Sequence, residues 1–482
     1  MHLSSRHVPA RVLVLGLVLL LGLAYCSVVD KVALPRYVPS AETRALGHPT
    51  FAEVREAERL LPQHRAPGRW ALGGKGKRGR YVYFPWEAWG TGWNNVFQEQ
   101  LLNTHLAFRA DRGYVFGDYI ARDHPPFSDT LPNGTRSHLH IPMGAFTSGP
   151  TGGGAWGGRE KGRPRGISRA WWDVVCKGRK TVLSAPEMNR ELAIGPETSG
   201  ADRMVRWGAK LKDMEAECVE VVDGTPFDYP FIITDKPASI WDWPASYGAS
   251  LTLTAFRWSA LVTRALIRNH ALFAPSLPTH LRPSLPWHWH LRLLGPPDLG
   301  STAAPLPLSA VPPLTITAPP LTGLLALHVR RGDYQEHCPN LVAAAVPYNT
   351  WNALPALPDR RSPHSEMHAH CFPGVTQILA KIESVLKTER KFKVERVYIA
   401  TNGDADFISQ LTERLKTTFA VPVASSRDMR LTPEEEAVGQ AVDMAVLTAA
   451  EVFIGNGWSS LTSNVVQLRL AGGRPAARCR FW

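Results

Sequence analysis

The sequence predicts an α/β fold of two domains facing each other across a cleft, behind an N-terminal membrane helix and a stem. Three observations predict it. Strands and helices alternate from about residue 324 onward, a strand-loop-helix-strand unit opens near residue 80, and a proline-rich segment separates the two regions. Such alternation implies parallel sheets covered by helices on both faces. The length agrees, because 482 residues with 44% hydrophobic content suffice for two ordinary domains and a substantial core.

The first element is the membrane run. After Arg6, His7 and Arg11 the chain is apolar almost without interruption from Val12 to Val29, and about eighteen such residues just span a bilayer. Positive charge on the N-terminal side keeps that end cytoplasmic and places everything after Asp30 in a lumen. A cleaved signal peptide is the rival reading, but the run is long for one and no A-x-A-like site follows it. A short span suits the thinner membranes of the early secretory pathway, pointing to the Golgi or endoplasmic reticulum. Residues 1–30 are therefore read as tail and anchor. Residues 31–78 are read as a stem, in which Thr50 to Leu61 has helical spacing before the glycine-rich basic run Gly68 to Arg80.

A net charge of +12 would ordinarily point to nucleic acid. A lumenal address argues against it. So do the basic stretches Lys75 to Arg80 and Arg159 to Lys180, which apart from Trp171-Trp172 lack the interleaved aromatics of a stacking platform. Outside the membrane run five cysteines face an oxidising compartment: Cys176, Cys218, Cys338, Cys371 and Cys479. Five is odd, so at least one is free or intermolecular; proximity in sequence pairs Cys176 with Cys218 and Cys338 with Cys371. One N-glycosylation sequon, Asn133-Gly134-Thr135, falls in a polar loop.

The first domain, residues 79–270, opens with the aromatic strand Tyr81-Val82-Tyr83-Phe84. A loop carrying Gly90 and Gly92 leads into a helix from Asn94, with Phe97, Leu101, His105 and Phe108 near helical spacing, and Tyr114-Val115-Phe116 is the next strand. Pro226 to Trp243 is an aromatic, proline-punctuated stretch, read as a surface loop, with the lining of an acceptor groove as the alternative. Residues 271–323 are proline-rich, with Pro296-Pro297, Pro312-Pro313 and Pro319-Pro320, and read as an extended linker or insertion.

The second domain, residues 324–482, begins with the buried strand Gly323 to Val329. Val394 to Ala400 is a strand, Asp404 to Leu415 a helix, Phe419 to Ala424 a strand and Pro433 to Ala450 a helix. Val452-Phe453-Ile454 is the last buried strand, and Gly455-Asn456-Gly457 turns into a helix from Ser460 to Leu470 that Ser459 is placed to cap.

Two of these strand ends carry chemistry. Leu327-His328-Val329-Arg330-Arg331-Gly332-Asp333 sets a histidine and two arginines at a strand's carboxyl end, where a planar guanidinium grips a diphosphate through paired hydrogen bonds. The turn at Gly455-Asn456-Gly457 offers unpaired N–H groups and a positive helix end, with the hydroxyls of Ser459, Ser460 and Thr462 beside them. Together they describe an enzyme that uses an activated, diphosphate-linked donor.

In order along the chain, His328 to Asp333, the Ala400-Thr401-Asn402-Gly403-Asp404 turn, and Asp443 followed by Phe453 to Thr462 resemble the three motif regions of the GDP-fucose protein O-fucosyltransferases. Gly92-Trp93-Asn94-Asn95 resembles that family's N-terminal turn. The resemblance covers roughly residues 80 to 118 and 324 to 482. It implies a GT-B-like fold of two Rossmann-like domains, with the donor bound mainly by the second. It also implies metal-independent, inverting transfer of fucose from GDP-fucose to a hydroxyl of a protein or glycan acceptor, with no cofactor.

By position, the resemblance makes Arg330 the arginine on the β-phosphate, with His328 and Asp333 supporting the donor site. Asp443 reads the guanine, Ser459, Ser460, Leu461 and Thr462 wrap the phosphates, and Asn94 is the active-site asparagine. The physical logic agrees, because negative charge gathers on GDP as the sugar becomes oxocarbenium-like, and a fixed guanidinium and helix dipole stabilise that state most. Some relatives carry a glutamate in the loop before the asparagine. Here Glu87 is the nearest, which leaves the base unassigned.

Other readings compete. A scaffold that binds sugar or protein without turnover would keep the cleft. Asp404-Ala405-Asp406 has the form a metal-dependent transferase uses, although a helix N-terminus also favours acids. His364, His368, His370 and Cys371 have spacing suited to zinc, and Arg331-Gly332-Asp333 is an adhesion tripeptide, poorly presented at the end of a buried strand.

Overall fold

The computed structural model describes residues 34, 37–39, 43, 47–64, 79–87, 90–121, 138–242, 247–281, 306–360 and 366–482. The apolar N-terminal run, Cys26, the Asn133 sequon, His364 and the middle of the proline-rich segment lie outside them. Among the described residues no helix is long and apolar enough to cross a membrane.

Two five-stranded parallel sheets organise the chain, as the alternation of elements requires. The first contains β1 (Tyr81–Tyr83), β2 (Gly113–Phe116), β3 (Ile167–Ser168), β4 (Lys180–Ser184) and β5 (Cys218–Val222), in the order β3-β2-β1-β5-β4. Its main helices are α1 (Trp93–Arg109), α2 (Gly200–Asp213) and α3 (Ala260–Arg268). Ser199 and Ser259 cap the last two, accepting the N–H groups of Asp202 and Val262. Helix α1 starts one residue before the expected Asn94 and is buried along nearly its whole length. Its polar residues must therefore find partners inside the protein.

The second sheet contains β6 (Leu321–Val329), β7 (Arg396–Thr401), β8 (Val423–Ser425), β9 (Ala450–Gly455) and β10 (Cys479–Phe481), in the order β8-β7-β6-β9-β10. Its helices are α4 (Tyr334–Ala343), α5 (Val375–Thr388), α6 (Ala405–Phe419), α7 (Gly439–Ala449) and α8 (Ser460–Ala471). In β6, the period of two sends Leu325, Leu327 and Val329 into a core with Ile378, Ile382, Leu411 and Leu415. Leu324 and Ala326 point to the opposite face, where Met444, Val465 and Val466 lie. Burial on both faces is why this strand reads as a continuous apolar run. The helix expected from Pro433 to Ala450 is two, Pro433–Ala437 and α7, because the backbone leaves helical angles at Val438, just before Gly439.

Two of the expected boundaries change. Residues 47–64, read above as stem, are built into the first domain. Phe51 and Val54 join its core, Arg55 pairs with Asp118 at 2.8 Å, Glu58 accepts the Gly144 N–H at 2.8 Å, and Gln63 donates to the carbonyls of Gly153 and Gly166. Both flanks of the proline-rich segment also pack: Phe273, Leu277 and Leu281 are buried, and Leu314–Thr315 pairs antiparallel with Arg257–Trp258. Proline limits ladder hydrogen bonds, but it does not stop neighbouring leucines from leaving water.

The cysteine pairing expected from proximity is found: Cys176 bonds Cys218 and Cys338 bonds Cys371, while Cys479 is free and buried. The second bridge ties α4 to the chain just before α5.

Candidate active site

In the second sheet, the chain moves from β6 outward to β7 and β8, then returns to lay β9 on the other side of β6. The connections leaving β6 and β9 therefore diverge, opening a crevice at the carboxyl ends of those two strands, where open α/β sheets bind ligands. Leu327 pairs with Ile454 in the register, so Arg330 and Gly457 each stand three residues past paired positions, on either side of this crevice.

Arg330 follows β6 directly. Its Nε and one terminal nitrogen donate to the two Asp333 oxygens at 3.2 and 2.7 Å, and its guanidinium lies 4.7 Å from the centre of the Tyr334 ring. Burial is the largest influence on Arg330 and works against its charge, but the bonds and charge of Asp333 together with the Tyr334 and Tyr229 hydroxyls outweigh it and raise the pKa. Burial likewise opposes the charge on Asp333, whose carboxyl is nonetheless held below its usual range by the combined bonds and charge of Arg330, with Asn402 and His337 adding to them. The arginine is thus pre-oriented and fully charged. Asn402 secures the turn by accepting the Arg331 N–H at 2.7 Å and donating to Asp333 at 3.4 Å. Gly332 has φ +32°, and an added Cβ would lie 2.7 Å from the Asn402 amide nitrogen.

His328 does not face this crevice as an ion. Burial, reinforced by the Arg330 charge, pushes its pKa down to about 3, and its Nδ1 meets the Thr462 hydroxyl. The Thr462 oxygen also accepts the Asn456 N–H at 3.1 Å. Of the four residues expected to wrap phosphates, Thr462 therefore uses its hydroxyl internally. Ser460 lines the cavity, and α8 begins there with the N–H groups of Ser460, Leu461 and Thr462 preceding its first internal bond, Ser463 N–H to Ser459 O. Ser459 occupies the cap position without a side-chain capping bond.

Residues 346–352 brace this loop, and sequence reading missed them. Asn352 Nδ2 donates to the carbonyls of Gly457 and Ser459, the Asn349 N–H donates to Gly457 O at 2.9 Å, and Trp458 Nε1 donates to Val346 O at 2.8 Å. Tyr348 packs so close that a Cβ on Gly457 would lie 2.4 Å from its ring. The only local signal was an asparagine pair three residues apart among aromatics, which nothing in the sequence connected to residue 457.

Asp443, on α7, accepts from Tyr398 Oη at 2.6 Å and from the Ser426 hydroxyl at 3.0 Å. Burial raises its pKa to about 6 despite those bonds. Ser426 follows β8, which places this carboxyl at the far end of the same sheet edge as Arg330.

The first domain closes the crevice through α1. Asn94 is buried and joins the domains, donating to Gln440 Oε1 at 2.7 Å, while Asn464 donates to its backbone carbonyl at 2.8 Å. The next residue, Asn95, faces a cavity of about 530 Å³ with Tyr229, Arg330, Glu336, His337, Trp458 and Ser460. Glu87 accepts from Tyr114 Oη at 2.7 Å and Asn103 Nδ2 at 3.0 Å, and burial lifts its pKa to about 7. Asn103 lies about 12 Å along α1 from Asn95. Glu87 thus packs against the middle of α1 and is not among the residues that line the cavity with Arg330.

Three rival readings also have locations. Asp404 caps α6, accepting the Phe407 N–H at 2.8 Å, and that bond chiefly lowers its pKa. Cys371 is committed to its disulfide and His370 Nδ1 to the Trp482 carbonyl. Arg331 lies between the Phe372 and Phe407 rings, at 3.5 and 4.1 Å from their centres, so the tripeptide is not displayed for adhesion.

Residues 316–471 match the family model described as GDP-fucose protein O-fucosyltransferase. No curated protein matches the chain. Among solved structures, the apo form of POFUT1 is similar at TM-score 0.47 and 14% identity, covering 82% of this chain and 97% of that one. POFUT1 in complex with GDP-fucose is similar at TM-score 0.45 and 14% identity, over 81% and 94%. A mutant of Arabidopsis thaliana FUT1 in complex with GDP is similar at TM-score 0.34 and 11% identity, over 90% and 78%.

Proposed function

We propose, for a chain that through residues 316–471 belongs to the GDP-fucose protein O-fucosyltransferase family, that the protein transfers fucose from GDP-fucose to an acceptor hydroxyl. The observation that carries this reading is the pairing of Arg330 with the start of α8 at the sheet's switch point, locked together by the His328–Thr462 contact. A guanidinium and a row of first-turn N–H groups converge where a nucleotide diphosphate would lie.

In this reading the guanine lies against Asp443 and the β-phosphate on Arg330. The bond from the fucosyl anomeric carbon to the phosphate oxygen breaks toward Arg330 and GDP departs, while the acceptor hydroxyl oxygen attacks from the opposite side, inverting the centre and releasing its proton to solvent. Arg330 and the α8 dipole take up the charge that develops on GDP, so no metal is required. Positioned groups of this kind contribute more to the transition state than to the ground state. The membrane anchor at residues 12–29 and a Golgi or endoplasmic reticulum lumen belong to the same proposal. Modification of Asn133 and protease protection in microsomes test them.

The decisive experiment is donor hydrolysis across a panel of nucleotide sugars, with and without EDTA. Turnover selective for GDP-fucose and indifferent to EDTA is expected. Turnover abolished by EDTA, or GDP binding without turnover in the presence of candidate protein and glycan acceptors, would overturn it.

A further inference from the structure

The cavity beside Arg330 runs along α4. Asp333, Tyr334, Glu336, His337, Asn340 and Leu341 all line it, which is the pattern of one helix face, since residues three, four and seven apart stand above one another. The residue after His337, Cys338, is fully buried, and its disulfide to Cys371 anchors the helix. Asp443 is not part of this wall. In the GDP-fucose reading the cavity therefore lies on the sugar side of the diphosphate, where the acceptor must enter.

On this face the His337 ring is held in place and still open to a substrate. Its centre lies 5.5 Å from the centre of the Tyr334 ring, which itself lies 4.7 Å from the Arg330 guanidinium. Imidazole and guanidinium are thus no farther apart than the sum of those distances. His337 is exposed, and neither of its ring nitrogens is hydrogen-bonded to another described residue. The other acids on the helix are placed differently. Asp333 is committed to Arg330 by two bonds, burial pushes the Tyr334 phenol up to about 12, and no described residue fixes the direction of the Glu336 carboxylate.

That spacing suits an in-line displacement. From an arginine on the departing phosphate oxygen, through the anomeric carbon and the attacking oxygen, to a base on the attacking oxygen's proton, hydrogen bonds and a near-attack distance of about 3 Å each span about 10 Å in all. The two contacts of the Tyr334 ring set the same scale between Arg330 and His337. We propose that His337 is the catalytic base: a ring nitrogen takes the proton of the acceptor hydroxyl as its oxygen bonds to the anomeric carbon and the C–O bond to GDP breaks, the electron pair leaving with the phosphate. The imidazolium then passes the proton to solvent. Imidazole is the group most often used for such transfers. This assignment rests on the GDP-fucose reading above.

The test uses the full-length protein and His337→Ala with GDP-fucose and two nucleophiles, water and sodium azide. Azide attacks the anomeric carbon with no proton to give up, so it needs the donor site but no base. Hydrolysis by His337→Ala is expected to fall about 100-fold or more, while its formation of fucosyl azide and its affinity for GDP keep their wild-type values. Added imidazole restores part of the hydrolysis. Unchanged hydrolysis in the variant overturns the proposal. So does an equal loss with water and with azide, which would reduce His337 to a support for Tyr334 and Arg330. Wild-type protein that turns over no nucleotide sugar with either nucleophile would remove the parent reading, and this one with it.

Discussion

Arg264 Nε lies 2.8 Å from Glu435 Oε1 across the boundary between the two domains, and the two side chains are 8% and 0% exposed. Arg268 reaches the other Glu435 oxygen at 2.5 Å, and the Thr432 N–H donates to the same carboxylate. A buried carboxylate with two guanidiniums and a backbone donor is fully satisfied, so the domains meet through a fixed polar joint. Removing the Glu435 charge leaves the buried Arg264 guanidinium without its counter-ion. Glu435→Gln is therefore expected to destabilise the protein by about 3–5 kcal/mol, read as a lower denaturant midpoint. A change under about 1 kcal/mol would show that the joint contributes little.

Arg330→Lys tests the phosphate grip. Lysine keeps the charge but loses the planar fork that Asp333 and Tyr334 hold in place. Turnover is expected to fall about 10²- to 10³-fold, with the melting temperature nearly unchanged because the guanidinium sits at the cavity wall. Near-normal kcat would remove Arg330 from the chemistry.

Asp443 should make GDP binding depend on pH. Its carboxyl titrates near 6 in the free protein because burial favours the neutral form. An ionised carboxylate accepts from the guanine edge better than a neutral acid does. GDP affinity is therefore expected to rise between about pH 5 and 7 and then level off. Stability runs the other way: the folded state holds this proton more tightly than the unfolded chain, so the group's contribution is fully present below about pH 4 and declines as pH rises through 6. Calorimetry of GDP binding to wild type and Asp443→Asn checks this, the variant losing both affinity and pH dependence. A flat wild-type profile would place the guanine elsewhere.

Deleting residues 47–64 tests whether that segment is stem or domain. It removes Phe51 and Val54 from the core, together with the Arg55–Asp118 pair and the Glu58 contact with Gly144. Loss of two buried apolar side chains is expected to cost about 3–5 kcal/mol. A melting curve identical to that of the longer protein would return the segment to the stem.

The sequence by itself determined what depends on short stretches of chain. The continuous apolar run from Gly323 to Val329, the turn glycines 332 and 457, and the helix start at Ser460 are local, so the β6 strand, the α8 helix and Arg330's place at a strand end were legible. So was the parallel character of the sheets, which follows from strands alternating with helices. Only the tertiary structure decided which side chains meet. Asn94 and Asn95 differ by about 100° around α1, and packing against Gln440 and Asn464 settles that the first joins the domains while the second faces the cavity. Glu87 turns toward Tyr114, Thr462 turns inward to His328, and Asn349 comes to stand beside Gly457, 108 positions away in the chain. Such meetings depend on contacts between distant segments, and local propensity carries no information about them.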